Sequence, residues 1–146
     1  MPAVAAAALK AAMPEREPVE DDDRWRLGLR GLVVTRIGVD FQLRLALGQD
    51  WEVVLEAPAY LGPVAGPAER LTPATQDVGA ALPLFGAKVL SAVAFKSGSL
   101  RLAFDTPLML TCPADPDCEA WQIMGPGGRL FVSQPGKGLA VRPVSR

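Results

Sequence analysis

In Phe41-Gln42-Leu43-Arg44-Leu45-Ala46-Leu47 the apolar side chains fall on every second residue. Phe41, Leu43, Leu45 and Leu47 then face one way, and Gln42, Arg44 and Ala46 the other. A period of two is the mark of a half-buried strand, because successive side chains of a strand point to opposite faces. Gly48-Gln49-Asp50 supplies a turn, after which Trp51, Val53 and Leu55 resume the alternation against Glu52 and Glu56. Upstream, Leu32 to Val39 is rich in β-branched residues and predicts a preceding strand. Three strands joined by short turns make a meander.

A second block repeats the pattern. Val89 to Phe95 is apolar, Lys96-Ser97-Gly98-Ser99 is a turn, and Leu100-Arg101-Leu102-Ala103-Phe104 alternates. Asp105-Thr106-Pro107 turns again, and Leu108 to Cys112 predicts a further strand. Leu43-Arg44-Leu45-Ala46-Leu47 matches Leu100-Arg101-Leu102-Ala103-Phe104, and each block ends on a proline, Pro58 or Pro113. The blocks read as a weak internal repeat of a three-stranded unit; the alternative is chance similarity between amphipathic strands. Toward the C-terminus, Trp121 to Met124, the turn Gly125-Pro126-Gly127-Gly128 and Arg129 to Ser133 read as strand, turn, strand. Gln134 to Gly138 makes a second turn before Leu139-Ala140-Val141.

Between the two blocks, Ala57 to Leu71 holds Pro58, Pro63, Pro67, Gly62 and Gly66, and reads as a long irregular loop. One helix is expected from Pro73 to Leu82. Thr72 is its N-cap, Pro73 sits where a helix tolerates proline, and Val78, Ala81, Leu82 and Phe85 mark one face. Pro83 ends it. The expected fold is therefore mainly β: an antiparallel sheet or partial barrel of about nine strands in two similar halves, with one short helix. Residues 1–24 read as a flexible tail closing on Glu20-Asp21-Asp22-Asp23, residues 25–142 as a single domain, and 143–146 as a C-terminal tail.

The 146 residues suit one domain, and a hydrophobic fraction of 49% supports a real core. Fifteen basic and sixteen acidic side chains leave a net charge of −1, with the basic residues scattered. Nucleic-acid binding needs a basic patch to displace counterions, so no nucleic-acid partner is expected. No apolar run approaches the roughly 20 residues that span a bilayer. The run Ala3 to Leu9 has no basic residues before it and is a poor signal peptide, so a cytoplasmic location without membrane contact is expected. Cys112 and Cys118 are then expected as free thiols.

Histidine is absent. That removes the commonest general base near neutral pH, the Ser-His-Asp and Cys-His sites, and His-ligated metals. No phosphate-binding glycine loop precedes a helix. Asp115, Asp117 and Glu119 alternate in one loop, but three oxygens fall short of the six to eight that calcium takes, so the loop reads as solvated. Asp40, Glu52 and Glu56 lie in or beside the first meander, with nothing in the sequence to aim two of them into one cleft. Cys112 lacks a neighbouring cation to activate it, and Asp115 and Asp117 raise its pKa. Trp25, Trp51 and Trp121 read as packing residues. No enzyme, cofactor or metal site is expected.

Glu119-Ala120-Trp121-Gln122-Ile123, Gly125-Pro126-Gly127-Gly128, Leu130, Val132, Pro135-Gly136 and Leu139-Ala140-Val141 resemble a family of small actinobacterial proteins known only as a domain of unknown function. The stretch Asp77 to Phe104 resembles it too, and the likeness covers roughly residues 27 to 141. Arg142 departs from it, standing where the resemblance implies a tryptophan that would pack the last strand. The resemblance brings no catalytic residues. Its members are loosely similar, in size and in style of fold, to immunity proteins of bacterial toxin systems.

The leading functional expectation is a protein-binding module, immunity-like, acting on a basic protein partner. Its contact residues are expected to be Asp115, Asp117, Glu119, Tyr60, Glu69 and Arg70, because loops carry function disproportionately. The alternatives are a small-ligand binder or carboxylate-based enzyme with an apolar pocket, and a homo-oligomer paired through exposed sheet edges.

Overall fold

The computed structural model describes residues 17–144. It contains β1 (Val19–Glu20), β2 (Arg24–Arg26), β3 (Val34–Val39), β4 (Leu43–Leu47), β5 (Trp51–Leu55), β6 (Ala59–Pro63) and β7 (Glu69–Leu71). These are followed by β8 (Val89–Phe95), β9 (Leu100–Phe104), β10 (Leu108–Cys112), β11 (Trp121–Met124), β12 (Leu130–Gln134) and β13 (Gly138–Arg142). All pairings are antiparallel, in a seven-stranded sheet of order β1-β2-β8-β9-β10-β6-β7 and a six-stranded sheet of order β13-β12-β11-β5-β4-β3. Neither sheet closes into a barrel. Leu43, Leu45 and Leu47 from one sheet and Leu100, Leu102 and Phe104 from the other are buried in a single core.

The internal repeat is written into the registers. In β3–β4, Val39 pairs with Leu43 and Ile37 with Leu45, and a β-bulge falls between Val34 and Arg36. In β8–β9, Ala94 pairs with Leu100 and Ala92 with Leu102, and a bulge falls between Val89 and Ser91. The two bulges occupy the same place. After each meander the chain crosses to the opposite sheet: β6–β7 joins β10, and β11 joins β5. Each sheet therefore holds strands from both halves.

The halves meet through reciprocal backbone bonds around the bridge Val33↔Lys88. Val34 N–H donates to the Ala87 carbonyl and Val89 N–H to that of Leu32, at 2.9 and 2.8 Å. Gly31 N–H donates to Val89 and Gly86 N–H to Val34. Gly31 and Gly86 hold φ of 91° and 82°, a region that glycine enters without a steric penalty.

At one end of the molecule, the β8–β9 and β12–β13 turns touch backbone to backbone. The Gly98 carbonyl accepts from Trp121 Nε1–H at 2.8 Å and from the Ser133 hydroxyl at 2.7 Å, both buried. A polar group buried in an apolar interior needs such partners, and this carbonyl ties two strands of the six-stranded sheet, β11 and β12, to a turn of the other sheet. Gly98 has φ +105°, and a Cβ there would lie 2.9 Å from Ala114 Cβ and 3.0 Å from Ser133 Oγ.

Four expectations change. Residues 57–71 are not irregular: Ala59–Pro63 and Glu69–Leu71 form a hairpin. Its prolines are accommodated because Pro58 precedes the strand, Pro63 ends it and Pro67 lies in the connecting turn. The helix expected from Pro73 to Leu82 is two 3₁₀ segments, Pro73–Thr75 and Gly79–Leu84. Gln76 at φ 60° breaks the path between them, Thr72 makes no side-chain cap, and Leu82 and Phe85 are exposed rather than buried. The N-terminal boundary at residue 24 moves back, because Val19–Glu20 pairs with β2 and β2 pairs with β8. The alternation of Arg24 and Arg26 about Trp25 turns its indole inward, edge-on to Phe131 at 5.5 Å. Part of the acidic run is consumed locally: Lys96 Nζ reaches Glu20 at 2.6 Å and Arg26 reaches Asp21 at 2.9 Å. Residues 1–16 of the expected tail lie outside the described residues. Phe41, expected to face inward with Leu43, instead sits exposed in the β3–β4 turn. Arg142 pairs with Leu130 in β13, and its Nε donates to the Gly128 carbonyl at 3.0 Å.

Ser133→Ala is expected to lower unfolding free energy by about 1–2 kcal/mol, the cost of leaving a buried group short of a partner. Gly98→Ala is expected to cost more, because it adds a steric clash to a backbone conformation alanine resists. Urea denaturation of both variants measures the difference.

Candidate functional site

Tyr60 and Arg70 face each other across the β6–β7 hairpin, and both are exposed. Glu69 is opposite the buried Leu61, so strand alternation turns it to the other face. In the 113–119 loop, Asp115 Oδ1 accepts from the backbone N–H of Asp117 at 2.8 Å and of Cys118 at 3.2 Å. Asp115 therefore shapes its own turn. Asp117 and Glu119 are exposed. Among the described residues no side-chain hydrogen bond or ion pair joins this loop to Tyr60, Glu69 or Arg70.

Cys112 lies at the crossing of the two halves, with Sγ 3.8 Å from the carbonyls of Pro58 and Ala120. Burial, then Cys118 and Asp115, push its thiol up to about 12. Cys118, more exposed, is also raised, chiefly by burial and then by Asp115. Neither thiol is poised as a nucleophile. Among the described residues, no three Cys, Asp or Glu side chains are placed to share a metal ion, and no helix is long and apolar enough to cross a membrane.

A concavity lies at the end of the molecule away from Gly98, where the β4–β5 turn, the β11–β12 turn and residues 28–32 converge. It is a groove of about 620 Å³ walled by Leu32, Leu47, Trp51, Pro126 and Val144. The register that sets Met124 opposite Glu52 carries Gly125 under the Trp51 ring. A Cβ on Gly125 would lie 2.6–2.8 Å from three indole atoms, so only glycine lets the ring seat there. The Arg129 side chain, 14% exposed, places Nη2 3.0 Å from Glu17 Oε1, and the Glu17 side chain is 70% exposed. Asp50 also lines the groove; it is exposed and has no hydrogen bond or ion pair among the described residues. Glu17 and Asp50 against Arg129 leave the groove with one net negative charge beside an apolar wall and an aromatic ring.

None of these groove residues was marked as functional by the sequence. Trp51 read as packing, Asp50 as a turn residue and Gly125 to Gly128 as a hairpin turn. Each reading is locally right, and only the pairing of β5 with β11 brings the three together.

Fold and groove define a class: an antiparallel protein of two sheets sharing one core, with a recess between turns at one end. Residues 25–143 match the model of a family of unknown function, DUF6188, and the chain belongs to that family. No curated protein and no solved structure matches it.

In native protein a thiol reagent is expected to label Cys118 and to reach Cys112 only after unfolding, as mass spectrometry of labelled peptides would show. Because Cys112 stays protonated in the fold while the unfolded thiol ionises near its ordinary value of 9.0, stability present below that pH is lost as pH rises toward about 12. The expected slope is about 1.4 kcal/mol per pH unit, and Cys112→Ala should remove it from the alkaline denaturation curve.

Proposed function

We propose that the protein is a non-catalytic binding module that seats a basic, apolar segment of a partner protein in the Trp51 groove. The observation that carries this reading is Asp50, a carboxylate without a partner among the described residues, which lines a largely apolar recess together with the Trp51 ring. A lysine or arginine entering the groove gains the carboxylate as an ion partner and the indole face for a cation–π contact, while its methylenes cover apolar wall. The groove's net charge favours a cation over an anion, and Arg129 is already neutralised by Glu17. The absence of histidine and the raised thiol pKa values support a role without chemistry. A stoichiometric inhibitor of the immunity kind, working in an actinobacterial cytoplasm, is the finer form of this reading, and it rests on the sequence resemblance, on size and style of fold, and on the lack of a signal-peptide pattern in Ala3 to Leu9.

An amphipathic lysine–leucine peptide and a glutamate–leucine peptide of equal length are suitable probes. The lysine peptide is expected to shift the NMR signals of the Trp51 indole N–H and the Asp50 amide, with an affinity that falls as salt is raised. Asp50→Asn is expected to weaken that binding by about twofold to fivefold, the range of an exposed ion pair. An equal response to both peptides, or shifts confined to residues outside the groove, would reject the proposal.

A further inference from the structure

The repeat makes the two sheets directly comparable, and their edges differ. In the seven-stranded sheet, β2 covers the outer edge of β8, pairing Arg24 with Phe95, Trp25 with Ala94 and Arg26 with Val93. In the six-stranded sheet the corresponding strand, β3, is the last one, and among the described residues no strand pairs with its outer edge beyond Val34, whose N–H and carbonyl are taken by Ala87 and Gly86. The matched registers make Gly38, Val39 and Asp40 the counterparts of Val93, Ala94 and Phe95. An uncovered strand edge presents unpaired backbone donors and acceptors, ready to template another strand.

We infer that β3 pairs with β3 of a second copy of this chain, antiparallel about Gly38, joining two six-stranded sheets edge to edge. None of residues 36–40 lines the groove, although Arg36 adjoins Asp50 and Trp51, and the inference rests on the strand edge alone. The segment Arg36-Ile37-Gly38-Val39-Asp40 is self-complementary. Reversed against itself, it sets Arg36 opposite the partner's Asp40 and Ile37 opposite the partner's Val39, each contact made twice. Both charges are available. Arg36 is exposed and has no hydrogen bond or ion pair among the described residues. The Asp40 side chain is 61% exposed; its Oδ1 accepts from Gln42 N–H at 2.6 Å, and its Oδ2 lies 4.0 Å from Arg44 Nε. Val39 is 47% exposed and would continue the apolar stripe begun by the partly buried Ile37. Gln76 Nε2–H occupies the Asp40 carbonyl at 3.0 Å, and the bulge lies before Arg36, so the two mark the ends of the flat window.

The covered edge provides the contrast. The counterparts of Arg36 and Asp40 on β8 are Ser91 and Phe95, which carry no charge, and that edge is closed within the chain. The remaining edges lack the pattern. β1 and β7 have two and three residues, and β13 carries Arg142 with no acid to face it.

Sedimentation equilibrium across micromolar to millimolar protein tests this. The wild-type chain is expected to pass from monomer to dimer. Arg36→Asp alone sets acid against acid, and Asp40→Arg alone sets base against base. Each is expected to weaken self-association by roughly tenfold or more, the effect of like charges in juxtaposition. Mixing the two variants restores opposite charges at both positions, and a heterodimer at wild-type concentration is expected. Circular dichroism of Asp40→Arg checks that loss of the Asp40–Gln42 turn contact has left the fold intact, and Arg36→Asp carries the test without touching that turn. A wild-type chain that stays monomeric throughout, an Arg36→Asp variant that dimerises like wild type, or a mixture of folded variants that remains monomeric would overturn the inference.

Discussion

Everything in this fold depends on the few backbone bonds exchanged around Val33 and Lys88. There the strand leading into the first meander meets the strand leading into the second, and each donates to the other in the same way. Those bonds set the two sheets against each other at a fixed offset. With that offset set, Leu43, Leu45 and Leu47 interleave with Leu100, Leu102 and Phe104 without any helix to fill the space between. The glycines at 31 and 86 are the local requirement, since both hold a backbone conformation that a side chain would resist. The opposite anchor is the Gly98 carbonyl, which answers the same need with side-chain donors, Trp121 and Ser133. On the first half, Gln76 plays a parallel part by donating to the carbonyl of Asp40 in the corresponding turn.

The strands were legible because alternation is a local property. Val89–Phe95, Leu100–Phe104, Leu108–Cys112 and Trp121–Met124 have the limits that their sequence pattern implies. The failures came where a local pattern had two readings. Val78, Ala81, Leu82 and Phe85 are spaced for a helix, yet only Val78 and Ala81 are buried, and the left-handed Gln76 with Pro83 shortens the turns to 3₁₀. The prolines of residues 58–67 looked like loop residues because a sequence does not show which strand positions must donate a hydrogen bond. The repeat was visible only as Leu-Arg-Leu-Ala in two places. Its real content, the shared bulge and the reciprocal crossing, belongs to pairing between distant residues.

The groove was illegible for the same reason, made stronger. Asp50, Trp51, Gly125 and Arg129 come from two turns and a strand start separated by most of the second half, and Glu17 from a segment read as tail. Their association follows from β5 lying beside β11 and from β1–β2 lying on β8. By contrast, Tyr60 and Arg70 are exposed as a cross-strand pair, and the half-buried Asp115 forms its own turn. Composition alone removes histidine chemistry, because the chain has no histidine.

The crossing of β6–β7 onto β10 and of β11 onto β5 has a further consequence for ancestry. A chain of half this length, with one meander and one crossing hairpin, would have no sheet of its own for the hairpin to join. Its hairpin would find an equivalent berth only on another molecule, and two such chains would bury a core by trading ends. The present protein has the form of that exchanged pair joined into one chain, with the two interfaces that separate chains would share lying inside one molecule.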